Sequence, residues 1–145
     1  MRIQFENPKD QYLKEGVMIR ERALKVVLVL VGLLFSAAIY PVIGGLRDPG
    51  NSDTGDTMMM GLYFTLGIFL LLAVRNPAAH RSLIAFAAWS SFAHAAVMST
   101  QGFEMPAERT GFLGGSAALV VIGVALLALR PSAKKPAGEA LASSA

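Results

Sequence analysis

The stretch RSLIAFAAWSSFAHAAVMS, residues 81–99, decides how the rest of the chain is read. It is apolar and long enough to cross a bilayer, yet it is built from Ala and Ser more than from Leu, Ile or Val. A helix turned toward lipid favours large aliphatic side chains. One rich in small and hydrogen-bonding residues suits close contact with other helices. The stretch therefore reads as the central wall of a small membrane bundle, with Trp89 near its midpoint and the ionisable His94 beyond it.

Working outward, three more apolar blocks share the chain with it, and 54% of the 145 residues are hydrophobic. About 20 helical residues cross the roughly 30 Å hydrocarbon core of a bilayer. Spans are predicted at about residues 23–46, 58–74, 78–99 and 111–129. The expected fold is all-α, an integral-membrane four-helix bundle running up-down-up-down. It would occupy residues 23–130. A polar or amphipathic arm over residues 1–22 would precede it, read either as an interfacial helix or as a loose tail weakened by Gly16. Residues 131–145, mostly Ala, Ser, Pro, Gly and Lys, hold little that could be buried and are expected to be disordered.

The net charge of +3 is explained by topology rather than by nucleic acid. With the amino terminus inside, eleven of the thirteen Lys and Arg residues fall on the inner side and only Arg47 and Arg109 on the outer. Asp48, Asp53, Asp56, Glu104 and Glu108 fall outside with them. Such a bias places both termini in the cytoplasm. A cleavable leader is not expected, since about 22 charged and polar residues precede the first block and its end lacks a small-x-small pattern. The chain has no cysteine, which excludes disulfides and thiolate metal sites.

Local signals place the joins. Gly32 and Ser36, four apart, would let a neighbouring backbone approach the first span. Tyr40-Pro41 and Gly44-Gly45 mark an irregular exit, followed by turn residues from Arg47 to Asp56. Asn76 is a candidate N-cap with Pro77 at the first helical position of the third span. So brief a join would lay spans two and three side by side. Gly111 and Gly115 open the fourth span with a small-xxx-small step.

His94 carries the main functional expectation. It would lie about six residues, or ~9 Å, below the outer end of its helix. An ionisable side chain at that depth faces the bundle or water. The ligand-binding hypothesis is a pocket opening outward, lined by His94, Ser90, Ser91, Trp89, Tyr63 and Tyr40. The competing reading is a neutral histidine that only pins its helix to a neighbour. Trp89, at mid-membrane, is expected to turn its N–H into the bundle as packing, or to wall a lipid tail or quinone ring. A copper set of His94, Met98 and Met58 has suitable ligand chemistry but competes with methionine as ordinary filler. His80 and His94 are some 21 Å apart along the helix, too far to share one haem. No cofactor is expected. No span carries an Asp or Glu, and neither a P-loop nor a dinucleotide fingerprint is present.

The run GLYFTLGIFLLLAVRNP, residues 61–77, followed by RSLIAFAAWSSFAHA, residues 81–95, resembles a family of uncharacterised small bacterial inner-membrane proteins with four spans. The likeness covers roughly residues 20–130. More remotely, the chain resembles the DoxX group of four-span proteins, some of them linked to quinone or thiosulfate chemistry. The resemblance implies a multi-pass protein of the bacterial inner membrane. The leading expectation is a non-enzymatic accessory subunit or self-associating homo-oligomer, partnered first by the lipid bilayer. The alternatives are a quinone-, lipid- or small-apolar-ligand-binding protein and, third, an oligomeric pore or transporter.

Overall fold

The computed structural model describes residues 8–131, and these form five α-helices. They are α1 (Pro8–Ser36), α2 (Ile39–Arg47), α3 (Thr54–Ala73), α4 (Arg81–Glu104) and α5 (Arg109–Leu129). Four helical segments are long and apolar enough to cross a membrane, the first comprising α1 and α2 together. The protein is an all-α bundle of spans alternating in direction. The tail at 132–145, expected to be disordered, and residues 1–7 of the arm lie outside the described residues.

Helix runs unbroken from Pro8 into the first span. At about 1.5 Å per residue, α1 is some 43 Å long, longer than the hydrocarbon core is thick. The span expected as one piece over 23–46 is two helices, and Pro41 explains the break. Proline has no N–H to bond the Ala37 carbonyl, and its ring crowds that carbonyl. The chain tightens instead, with Ala38 N–H bonding Phe35 O and Tyr40 N–H bonding Ala37 O, both at 3.1 Å. α3 starts four residues before the predicted Met58, because Asp53 caps it: its carboxylate accepts the Asp56 N–H at 2.9 Å. α4 continues five residues past Ser99 and stops at Met105, the residue before Pro106.

The spans pack as two tight pairs. α1 crosses α3 where Gly32 meets Gly67, and a Cβ on Gly67 would stand 2.5 Å from Ser36 N and 2.7 Å from Gly32 O. α4 packs along α5 through Gly115 under Met98 and Gly123 under Phe92. Gly111, expected to share in this packing, faces open space. Ser116 is buried between the two and donates to Ala95 O at 2.8 Å, while its oxygen and that of Ser99 lie 2.6 Å apart. Leu24, Leu28, Val31 and Phe35 of α1 meet Leu70, Ile84, Ala87, Ala88 and Leu126 in the core between the pairs.

α3 and α4 touch far less than the brief join suggests. The connection is seven residues long, 74–80, with turns closed by Ala79 N–H on Asn76 O and His80 N–H on Pro77 O. Large side chains dominate the outer surface throughout: Leu33, Leu62, Phe86 and Val121 are all more than half exposed. A surface this apolar is at home in lipid and would associate in water. Together with the four long helices, this makes the chain a multi-pass membrane protein.

Gly67→Ala should force α1 from α3 and lower stability by about 1–3 kcal/mol. Unfolding by SDS in mixed micelles measures this. Gly61→Ala, at a position with no neighbour in reach, should be neutral or gain up to about 1 kcal/mol.

Candidate functional site

Where α3 and α4 splay, a groove of about 410 Å³ opens sideways. α3 supplies Met59, Leu62, Tyr63, Thr65, Leu66 and Phe69, a stripe recurring every three to four residues. α4 supplies Leu83, Phe86 and Ser90, one and two turns apart. Leu62, Phe69 and Phe86 are largely exposed at its mouth, so the groove faces the lipid rather than the aqueous phase. It does not open outward to water as the sequence suggested.

His94 stands four residues beyond Ser90, outside the groove lining but against its wall at Tyr63. Its ring centroid lies 5.2 Å from that of Tyr63, and Tyr63 in turn packs edge-on against Phe35 at 4.9 Å. Three rings from α1, α3 and α4 thus form one row across the bundle. Asp56 is two turns above Tyr63, at the start of α3.

Of the residues expected to line one pocket, the structure joins Tyr63 and Ser90 in the groove wall and sets His94 against Tyr63. Ser91 is fully buried and turned into the core, its hydroxyl donating to Ala87 O at 2.8 Å. Ser90 bonds the same carbonyl at 3.0 Å, so both serines are satisfied within their own helix. Tyr40 lies on α2 and is 77% exposed. Trp89 does not turn into the bundle. It is 64% exposed on the outer face of α4 and packs edge-on against Phe92 at 5.7 Å. Because α4 is apolar nearly all round, its sequence does not say which side meets lipid.

The copper set does not converge either. Met58 is 68% exposed, and the Met98 methyl lies over Gly115 of α5. Among the described residues, no three His, Cys, Asp or Glu side chains gather as a metal site would require. What the arrangement offers is an apolar trough with a few polar atoms near one end, the common plan of a site for a small apolar molecule. Phe35, Thr65, Phe69 and Phe86 were not singled out in the sequence. The three-to-four spacing along α3 and α4 was the available signal, but equally greasy flanks obscured it.

A family model described as "Family of unknown function (DUF6632)" matches residues 17–142 of the chain. No curated protein and no solved structure matches it.

Trp89 is the sole tryptophan, so its fluorescence reports directly on this face of α4. In liposomes, lipids brominated near the chain centre should quench it strongly, and aqueous acrylamide should quench it weakly. Strong acrylamide quenching would place Trp89 in water and contradict the arrangement.

Proposed function

We propose that this chain, which belongs to that family of unknown function, is a non-enzymatic protein of the bacterial inner membrane, acting by association as an accessory or self-associating subunit. Both termini lie in the cytoplasm in this reading. The supporting charge pattern sets Arg20, Arg22, Arg75, Arg81 and Arg130 at one end of the bundle, with Arg47, Arg109 and five acids at the other. The observation that carries association is the outer face of α5. Gly114, Ala117, Ala118 and Val121 are exposed there, and nothing lies within reach of Gly114. Small residues on an exposed span let a second backbone approach closely, which is how helices gain contact in lipid.

The chain contains no cysteine, so single-cysteine variants report contacts without background. Ala118→Cys should form a disulfide-linked dimer in oxidised membranes. Val97→Cys, 54% exposed on α4, should not. If both remain monomeric and no stoichiometric neighbour co-purifies, association is wrong.

The lateral groove favours a second reading, a binding site for a quinone, a lipid tail or another small apolar molecule, in line with the DoxX-like resemblance. Tyr63 stands in the wall of that site, with the rings of Phe35 and His94 packed against it. Ser90→Phe should fill the groove and expel such a molecule, measured by extracting lipids and quinones from protein purified in mild detergent. Equal content in the parent and the variant rules this reading out.

A further inference from the structure

The end of the bundle opposite His94 holds a cavity of different chemistry. Its volume is about 460 Å³, and it is walled by the lower part of α1, the α3–α4 connection and the C-terminal end of α5. Arg20, Arg75 and Arg130 line it, one from each of these three segments. An adjoining cleft shares Arg130 and adds Arg81 and Ser82 of α4. Three arginines thus line the cavity and a fourth lines the cleft beside it.

Two of these arginines are held in place by backbone. Arg20 donates to Ala128 O, and Arg81 Nε donates to Pro131 O at 2.7 Å, so both engage the carbonyls around the end of α5. Carbonyls at a helix C-terminus carry negative partial charge, and engaging them limits their repulsion of an incoming anion. Each guanidinium has five N–H donors, so donors remain for a ligand. The side chains of Arg75 and Arg130 have no hydrogen-bond or carboxylate partner among the described residues. The one acid in the wall, Glu21, is paired with Lys25 at 2.8 Å. Asn76 also lines the cavity; its amide oxygen accepts the Ala79 N–H at 3.3 Å, leaving its NH₂ group to donate.

Helix length sets the cavity at the edge of the hydrocarbon core, beside the headgroups. α3 and α5, with 20 and 21 residues, are each about as long as the hydrocarbon core is thick. Their ends at Ala73 and Leu129 therefore mark one boundary of that core. The rest of the wall is apolar, with Val17, Leu24, Pro77 and Leu129, and it suits the first methylenes of an acyl chain.

We propose that this arginine-lined cavity binds a phosphate group, carried by an anionic phospholipid or supplied as free phosphate. Guanidinium pairs phosphate oxygens through two parallel N–H bonds, and basic pockets between spans hold anionic headgroups. The apolar wall favours the lipid as the source.

The test is native mass spectrometry and thermal unfolding of the purified full chain in neutral detergent. The chain is titrated with phosphatidylglycerol, phosphatidylcholine and inorganic phosphate in turn. Phosphatidylglycerol should bind and raise the unfolding temperature, and phosphatidylcholine should do neither. The pair R75Q/R130Q should weaken phosphatidylglycerol binding about tenfold or more. The pair R22Q/R47Q, which removes the same charge outside the cavity, should leave it unchanged. Protection by inorganic phosphate that R75Q/R130Q abolishes would identify free phosphate as a source; protection by phosphatidylglycerol alone would identify the lipid. Should the glutamine pair misfold, R75K/R130K keeps the charge and loses the paired fork, and the same selective loss is expected. The proposal is overturned if phosphatidylcholine binds as tightly, if the cavity variants bind like the parent, or if R22Q/R47Q loses as much.

Discussion

Within a bilayer an apolar side chain gains nothing by leaving lipid for protein, so spans are held together by how closely their backbones approach. In this bundle that closeness comes from a few glycines. At the α1–α3 crossing Gly67 lies against the backbone of Gly32 and Ser36, with no room for a methyl group. Along α4 and α5, Gly102, Gly115 and Gly123 each receive a larger side chain from the partner helix. Ser116 adds hydrogen bonds to Ala95 and Ser99 at the same seam. The two pairs are thus closed by shape and by polar contact, and the core of Leu28, Leu70, Ile84 and Leu126 fills the space between them.

The number of spans, their alternation and the small-residue character of α4 were legible in the sequence, because block length and residue size are properties of the chain itself. The Gly32–Ser36 step was legible for the same reason, although its partner Gly67 was not. A glycine among Leu and Phe becomes meaningful only when a second helix is laid against it. Asp53 and Asp56 were read as loop residues, yet that spacing makes the cap on which α3 begins. The His94–Tyr63 proximity followed from depth along the spans. The facing of Trp89 and Ser91 could not follow from depth, because adjacent residues on a uniformly apolar helix differ only in direction. Tyr40 was misplaced by the break at Ala37–Ala38, which puts it on a separate helix.

The small residues divide into two populations. Those turned inward, among them Ala87, Ala88, Ala95 and Gly123, are consumed by packing within one chain. Ala93 and Ala96 of α4 are exposed, so only part of the alanine content of that helix is used in packing the monomer. The outward set on α5 is Gly114, Ala117 and Ala118.

The seam between α3 and α4 follows from the same rule applied in reverse. The side chains facing each other there are Leu62, Leu66 and Phe69 against Leu83 and Phe86, with no glycine among them. Bulky residues on both sides hold the backbones apart, and the splay leaves the lateral groove. At the other end, the seven-residue connection between the same two helices and the end of α5 leave the arginine-lined cavity. Both openings border the α3–α4 hairpin, the part of the bundle that backbone proximity does not close. A groove of this kind cannot stand empty in a bilayer, where an unfilled apolar void forfeits dispersion contact on every wall. Lipid chains or a ligand must complete the packing that the protein leaves unfinished.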